Sequence, residues 1–139
     1  MQILIAEDDF VSRLLLQEML KPYGTCQVAV NGEEAVAAFA RMLDLHTPYG
    51  LICLDIMMPG MDGQEALKQI REMERQRGIG GSDAVKIIMT TALDDPKNIM
   101  QALVRGPSDG YLTKPLDPIK MNKLLADLGI RPLAPTPKT

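Results

Sequence analysis

Five short apolar segments alternate along this chain with longer stretches in which apolar residues recur at helical spacing. The apolar segments are residues 3–6, 26–30, 51–54, 85–89 and 110–112. Most of them are apolar at consecutive positions, as expected for strands that are covered on both faces. Strands that alternate with helices along a chain form a parallel sheet. The pattern therefore predicts an α/β fold built on a central parallel sheet.

The stretches between these segments carry apolar stripes that predict helices packed on the sheet. The stripes consist of Ala35, Val36, Phe39, Ala40 and Leu43, then Leu67, Ile70 and Met73, then Ile99, Ala102 and Leu103. Asn31 with Glu34 resembles a capping box, and Asp-Pro pairs at 95–96 and 117–118 are typical of helix starts. We therefore expect each strand to be followed by a helix.

Five such units in a chain of 139 residues favour a doubly wound sheet of order 2-1-3-4-5, the flavodoxin-like (βα)5 fold. Ligands of this fold bind beyond the carboxyl ends of strands one and three. We expect one domain over residues 1–128 and a proline-rich tail over 129–139, with prolines at 132, 135 and 137.

Composition excludes several classes of function. A net charge of -3 and a pI near 5.1 give no electrostatic reason to bind nucleic acid. The chain opens without a secretory signal and has no run as long as a membrane span. Cys26 and Cys53 lie in apolar runs, where inert thiols are more common than a disulfide. We expect a soluble, cytoplasmic protein that binds neither nucleic acid nor membrane.

Acidic residues follow two strands that the predicted fold places side by side. Glu7, Asp8 and Asp9 come after the first strand and Asp55 ends the third. Carboxylates that converge at one sheet edge repel one another unless a cation joins them, and oxygen ligands suit Mg²⁺. The triplet by itself fits equally well as a cap on the following helix.

Asp55 is followed by IMMPGMDG, a turn sequence in which Asp62 can cap the next helix. Thr90 and Thr91 end the fourth strand, and Lys114 ends the fifth. Each of these residues is unremarkable by itself, since strand threonines are usually packing residues and lysines are usually solvated. Their joint position at the strand ends is what indicates a functional site.

Four segments, ILIAEDD, LDIMMPGMDG, IIMTTALDD and DGYLTKP in that order, resemble the signature segments of response-regulator receiver domains, the CheY-like superfamily of two-component signalling. The resemblance covers nearly the whole chain. It implies a bacterial, single-domain phosphorylation switch that accepts a phosphoryl group from a histidine kinase or a histidine phosphotransfer protein in a Mg²⁺-dependent reaction. Such a protein is not an enzyme in the usual sense, because it catalyses only its own phosphorylation and dephosphorylation.

The resemblance also implies roles for the acids. Asp55 is then the phosphoacceptor and a metal ligand, Asp8 binds Mg²⁺ directly, Glu7 binds it through water, and the backbone carbonyl of Met57 is a further ligand. Asp9 falls outside this set when Arg13 is aligned with the basic residue common in the first helix of the family. If the alignment were shifted by one residue, Asp9 would take the place of Asp8 as the direct metal ligand.

The remaining roles implied by the resemblance concern the phosphoryl group and the switch. Thr91, Lys114 and the backbone amide of Ala92 would hold the phosphoryl oxygens, and Lys114 would precede a cis bond to Pro115. Thr91 and Tyr111 would be the switch residues. They would reshape the α4-β5-α5 face, formed by the fourth predicted helix, the fifth strand and the fifth predicted helix, which a downstream protein or a second copy of the chain would bind.

Two positions depart from the family in a way that bears on the phosphorylated lifetime. Met57 and Leu93 stand two residues after the acceptor and two after the switch threonine, where the family tunes hydrolysis. Neither side chain can orient an attacking water. We therefore expect a slowly hydrolysing phosphoaspartate.

Three alternatives have to be weighed against this interpretation. The chain could be the receiver of a larger regulator with a DNA-binding or enzymatic output domain. It could be a phosphohydrolase of the haloacid dehalogenase type, although Met57 stands where that family has its second acid. A purely structural pseudo-receiver is disfavoured because the acids, the threonine and the lysine are all present.

Overall fold

The computed structural model describes residues 1–92 and 108–133. Its strands are β1 Gln2–Ala6, β2 Thr25–Ala29, β3 Leu51–Asp55, β4 Lys86–Ala92 and β5 Gly110–Lys114. All neighbouring strands pair in parallel, and their order is β2-β1-β3-β4-β5. The predicted doubly wound sheet of order 2-1-3-4-5 is confirmed.

Four α-helices lie in the described residues: α1 Phe10–Leu20, α2 Gly32–Asp44, α3 Gly63–Gln76 and a C-terminal helix, Pro118–Asp127. Short 3-10 helices span Lys21–Tyr23 and Gly81–Asp83. The helix predicted from the Asp95–Pro96 start and the stripe at 99, 102 and 103 lies outside the described residues. None of the described helices is long and apolar enough to cross a membrane.

The core has two layers, one on each face of the sheet. Phe39 of α2 and Ile70 of α3 pack on one face, while Leu16 of α1 and Leu125 of the C-terminal helix pack on the other. Every residue of β3 is buried, as expected for a strand covered on both sides. The strand β2 differs, because it lies at the edge of the sheet and leaves Val28 44% exposed.

Three helix starts use the side chains that the sequence suggested. Asn31 caps α2 by accepting a hydrogen bond of 2.8 Å from the Glu34 amide, and Asp62 and Asp117 cap α3 and the C-terminal helix. The Glu34 carboxylate accepts from the Val30 amide at 3.0 Å, one residue before the position used in a capping box. These caps fix where each helix leaves the sheet.

A half-buried arginine joins α3 to the beginnings of β4 and β5. Arg71 donates to Glu74 at 2.6 Å, to the Val85 carbonyl at 2.9 Å and to Asp109 at 2.9 Å. The two carboxylates also accept backbone amides, from Val85 at 2.7 Å and Ile87 at 2.8 Å. This network lies at the amino ends of the strands, opposite the predicted site.

The first residues of the predicted tail return to the body of the protein. The Ile130 amide donates to the Leu125 carbonyl at 2.8 Å, and the Leu133 amide donates to the Pro22 carbonyl at 2.8 Å. Ile130 also packs against the core layer beside α1. Residues 129–133 therefore continue from the C-terminal helix to the 3-10 helix that follows α1.

The two cysteines are free thiols. Cys53 is completely buried in β3, and burial raises the pKa of its thiol to about 12. Cys26 is half-buried in β2, and burial raises its pKa as well. Thiols with raised pKa values react slowly, because the thiolate is the reactive form.

Candidate functional site

The candidate site lies at the carboxyl edge of the sheet, where three strands place charged side chains together. Glu7 follows β1, Asp55 ends β3 and Lys114 ends β5. The Lys114 ammonium nitrogen lies 2.7 Å from Glu7 Oε1 and 3.2 Å from Asp55 Oδ2. The Lys114–Pro115 bond is cis, as the resemblance implied. The lysine therefore reaches from the fifth strand past the fourth to the acids of the third and first strands.

Three carboxylates form an acidic cluster around this lysine. Glu7, Asp8 and Asp55 each offer an oxygen, and these oxygens lie within 4.8 Å of one another. Glu7 is fully buried and Asp55 is 3% exposed, whereas Asp8 is exposed. Buried like charges at this spacing disfavour ionisation unless cations compensate them. One lysine cannot balance three acids, so the cluster is suited to a further cation.

The ionisation of the cluster reflects this imbalance. Burial, together with a hydrogen bond to Asp55, raises the pKa of Glu7 to about 7, although Lys114 opposes the rise. Burial by itself would lower the pKa of Lys114, but the hydrogen bond and charge of Glu7 and the charge of Asp55 outweigh burial and raise it. The lysine therefore stays cationic, and Glu7 can hold a proton near neutral pH.

The neighbouring acids Asp8 and Asp9 have separate structural roles. Asp9 caps α1 by accepting from the Ser12 amide at 2.9 Å, and this bond lowers the pKa of its carboxyl group. Arg13 donates to the Glu7 carbonyl at 3.1 Å and so holds the backbone of the acidic segment against α1. The helix-cap interpretation of the triplet thus applies to Asp9, while Asp8 belongs to the cluster.

The loop between β3 and α3, residues 56–62, begins with bonds that orient the acid before it. The Met57 amide donates to Asp55 Oδ1 at 3.1 Å, and the Ile56 amide donates to the Thr90 carbonyl at 2.9 Å. Gly63 closes the loop, since a Cβ there would lie 2.1 Å from the Asp55 carbonyl oxygen. Met57 itself is 57% exposed at the mouth of the site.

Three buried polar side-chain atoms lack a hydrogen-bond partner among the described residues, and all three belong to this region. They are Glu7 Oε1, which has only its ion pair with Lys114, and the hydroxyls of Thr90 and Thr91. Buried polar groups are nearly always satisfied, so unpaired hydroxyls beside buried carboxylates are suited to binding a ligand at this edge. Oxygen donors from Asp8, Asp55 and the neighbouring carbonyls fit a hard divalent cation such as Mg²⁺.

The remaining predicted residues lie on the neighbouring strands. Thr90 is in register with Asp55, and Thr91 and Ala92 complete β4. Tyr111 lies on β5 in register with Met89 and is 37% exposed. Leu93 lies outside the described residues.

The structure also reveals a contact that sequence reasoning missed. Glu33, at the start of α2, accepts a hydrogen bond of 2.9 Å from the amide of Met61 in the β3–α3 loop. The sequence offered no specific signal for it, because Glu33 reads as an ordinary acid in a first helical turn.

Comparison with protein families gives a match over most of the chain. The model of the response regulator receiver domain matches residues 3–126. The chain is 36% identical over 118 residues to the transcriptional regulatory protein ResD of Bacillus subtilis, covering 84% of this chain and 43% of ResD. It is 30% identical over 125 residues to the two-component response regulator ORR41 of Oryza sativa subsp. japonica, covering 90% of this chain and 91% of that protein. The chain thus spans less than half of ResD and nearly all of the rice protein.

Solved structures give the same picture. The receiver domain of Saccharomyces cerevisiae Ssk1, co-crystallised with the histidine phosphotransfer protein Ypd1, matches with a TM-score of 0.73 and 31% identity over 90% of this chain and 86% of that one. A receiver domain from Clostridium thermocellum matches with a TM-score of 0.72 and 19% identity over 91% of each chain, which is a likeness of fold.

Proposed function

The chain belongs to the response regulator receiver domain family, and from that premise we propose that Asp55 accepts a phosphoryl group from a histidine kinase or a histidine phosphotransfer protein. One observation carries the assignment. Asp55 is 3% exposed at the carboxyl edge of the sheet, with the Lys114 ammonium 3.2 Å away and two further acids within 4.8 Å. A buried carboxylate beside a fixed cation is suited to attack on an anionic phosphoryl group.

In the proposed reaction, an Asp55 oxygen forms a bond to phosphorus as the bond between phosphorus and the donor's imidazole nitrogen breaks. The nitrogen keeps the electron pair of that bond. Asp8, Asp55 and the Met57 carbonyl would hold Mg²⁺, with Glu7 acting through water, and the ion would offset negative charge on the phosphoryl oxygens. Lys114, 3.2 Å from Asp55, would offset the same charge.

We assign the phosphoryl oxygens two further donors at the end of β4. The Thr91 hydroxyl is fully buried and has no hydrogen-bond partner within residues 1–92 and 108–133. A phosphoryl group on Asp55 would provide one, as it would for the Ala92 amide. A contact that exists only in the phosphorylated state favours that state, which is the requirement for a switch.

The signal would leave through the face that includes Tyr111 and the C-terminal helix. Tyr111 is 37% exposed. If Thr91 moved towards the phosphoryl group, the space that it leaves would allow the Tyr111 ring to turn inward. The face would bind an unidentified downstream protein, or a second copy of this chain. The fourth predicted helix would complete this face, and it lies outside the described residues.

The donor protein would approach over the start of α1. Phe10, Val11, Leu14 and Leu15 expose between 46% and 63% of their surface on one side of this helix. The helix begins directly after the acidic segment, so a protein that brings an imidazole to Asp55 would also cover this side. In the similar structure of the Ssk1 receiver, the partner in the crystal is a histidine phosphotransfer protein. Apolar residues grouped on one exposed face are typical of a protein interface.

The cellular location, the origin of the chain and its domain context are also proposals. Free thiols at Cys26 and Cys53 are compatible with a reducing cytoplasm. Relatives come from bacteria, rice and yeast, so the predicted bacterial origin stays a prediction. A receiver within a longer regulator is the second candidate, because the match covers 43% of ResD.

The chain is a signalling receiver rather than a classical enzyme, and we propose that its only catalysis is its own phosphorylation and dephosphorylation. The test is incubation with acetyl phosphate and Mg²⁺ followed by intact-mass measurement. Wild type should gain one phosphoryl group, Asp55→Asn should gain none, and the helix-cap variant Asp9→Asn should behave as wild type. Equal phosphorylation of Asp55→Asn and wild type would refute the assignment. Catalytic hydrolysis of a phosphomonoester by wild type would favour the dehalogenase-type alternative instead.

A further inference from the structure

The first turn of α2 contacts the loop that carries Met57. Glu33 Oε1 accepts a hydrogen bond of 2.9 Å from the Met61 amide, although the two residues are 28 positions apart. The same carboxylate lies over Gly60, where an added Cβ would be 3.0 Å from Oε1 and 3.4 Å from Oε2. Gly60 has a φ of 74°, a conformation that favours glycine. The loop is therefore shaped so that its backbone lies against this side chain.

A second glycine clears the other side of the contact. At Gly32, the residue before Glu33, an added Cβ would lie 2.4 Å from the Met61 carbonyl oxygen. A side chain at residue 32 would keep the backbone of the loop away from the helix, whereas one at residue 60 would crowd the Glu33 carboxylate. Close approach at two glycines indicates a defined contact rather than a chance meeting of a surface glutamate with a loop.

The helix does not need the Glu33 carboxylate for its own start. Asn31 caps α2 through the Glu34 amide at 2.8 Å, and the Glu34 carboxylate accepts the Val30 amide at 3.0 Å. The two adjacent glutamates thus bond to different elements, Glu34 to the β2–α2 turn and Glu33 to the β3–α3 loop. This division makes Glu34 a matched control, since it has the same charge on the same helical turn.

The loop that Glu33 holds contains the backbone carbonyl proposed as a metal ligand. Before Met57, the loop is fixed to β4 by the bond from the Ile56 amide to the Thr90 carbonyl at 2.9 Å. Beyond Met57, the bond to Glu33 fixes Met61 to α2. Anchors on two different elements, one on each side of Met57, restrict the directions that its carbonyl can take.

We propose that Glu33 is a positioning residue for the metal site: its bond to Met61 keeps the β3–α3 loop in the conformation in which the Met57 carbonyl can bind a divalent cation together with Asp8 and Asp55. The inference rests on the proposed function, because it assumes that this cluster binds Mg²⁺. Glu33 would act through the loop and would not touch the cation.

The experiment compares Mg²⁺ binding by calorimetry for wild type, Glu33→Ala, Glu33→Gln and Glu34→Ala. Loss of one hydrogen bond that prepares the site should weaken binding roughly 3- to 10-fold in Glu33→Ala. Glu33→Gln keeps an acceptor oxygen and should bind as wild type does. Glu34→Ala should also bind as wild type does, because its bond is to the β2–α2 turn. Without metal, amide hydrogen exchange at Met61 should be faster in Glu33→Ala alone.

Three results would overturn the proposal. Unchanged Mg²⁺ affinity in Glu33→Ala would show that the contact does not prepare the site. Equal weakening in Glu33→Gln and Glu33→Ala would assign the effect to charge rather than to the loop bond, and equal weakening in Glu34→Ala would assign it to the helix start. Failure of wild type to bind Mg²⁺ would refute the metal site itself, so the two failures are distinguishable.

Discussion

Lys114 and Glu7 form an ion pair of 2.7 Å in which the glutamate side chain is fully buried and the lysine side chain is 23% exposed. Asp55 lies 3.2 Å from the same ammonium group. Among the described residues, Lys114 is the only lysine or arginine with a side-chain nitrogen within 4.0 Å of a carboxylate oxygen of either acid. Much of the behaviour of the metal-free protein follows from this arrangement.

Replacing Lys114 should destabilise the metal-free protein. Lys114→Gln leaves two buried carboxylates without their cation, and removing one partner from a buried pair typically costs about 3 kcal/mol or more. The measurement is the free energy of unfolding from urea titrations with a chelator present. Lys120→Gln, at an exposed position of the C-terminal helix, should change it by no more than about 0.5 kcal/mol. Similar values for the two variants would contradict the prediction.

Glu7 should make the stability of the metal-free protein depend on pH. Burial raises its pKa from 4.5 to about 7, so between these values the folded protein binds a proton that the unfolded chain has already lost. The free energy of unfolding should therefore fall as pH rises from about 4.5 to about 7, and the contribution of Glu7 should level off above that. Glu7→Gln should lack this part of the pH dependence. A wild-type curve parallel to that of Glu7→Gln would exclude it.

Thr91→Val should separate folding from switching. In the part of the chain that the structure describes, the buried Thr91 hydroxyl has no hydrogen-bond partner, and an isosteric apolar replacement of such a group is close to neutral or stabilising. The free energy of unfolding of the unphosphorylated variant should match or exceed that of wild type. After phosphorylation by acetyl phosphate, the NMR signals of Tyr111 should shift in wild type and remain near their starting positions in the variant. An equal shift in both proteins would remove Thr91 from the switch.

Met57 and Leu93 should prolong the life of the phosphorylated protein. Met57 is 57% exposed beside Asp55, and its side chain offers no group that can orient a water molecule. Met57→Asn combined with Leu93→Glu should accelerate loss of the phosphoryl group, followed by intact mass after the phosphodonor is removed. Met57→Leu serves as the control and should decay as wild type does. An unchanged decay rate in the double variant would sink the idea.

Arg71 and Arg75 should differ sharply in their contribution to stability, although both pair with glutamates on α3. The side chains of the Arg71–Glu74 pair are 16% and 4% exposed, whereas those of Arg75 and Glu72 are 74% and 46% exposed. Arg71→Met should lower the free energy of unfolding by about 3 kcal/mol, because Glu74 and Asp109 lose their shared cation. Arg75→Met should lower it much less, because water screens an ion pair between exposed side chains. Comparable losses in urea unfolding would argue against this distinction.

The sequence was sufficient to predict the sheet and the edge that bears the site. Consecutive apolar residues marked the buried strands, and an acid at the end of such a strand, as at Asp55, has few structural explanations. Strand order and common strand direction placed Lys114 and Glu7 at the same edge of the sheet, but the ion pair between them was not predicted. Features of this kind depend on local sequence pattern and on strand order, and both can be inferred from the sequence.

The contacts of Glu33 and Arg71 could not be predicted in the same way. Both residues occupy charged positions on amphipathic helices, where solvated side chains are the usual outcome. Their partners, Met61 and Asp109, are 28 and 38 residues away, and nothing in their types marks them as partners. The exposure of Val28 was not predicted either: the predicted strand order places β2 at the edge of the sheet, but an apolar run does not show which of its side chains stay uncovered.

The return of residues 129–133 to Pro22 has a practical consequence for labelling. Because α1 runs from the acidic edge of the sheet towards its opposite edge, the Leu133–Pro22 hydrogen bond brings the chain to the end of the molecule remote from Asp55. A dye or surface tether attached beyond residue 133 would start from that remote end. Donor proteins could then reach the acidic edge of an immobilised sample.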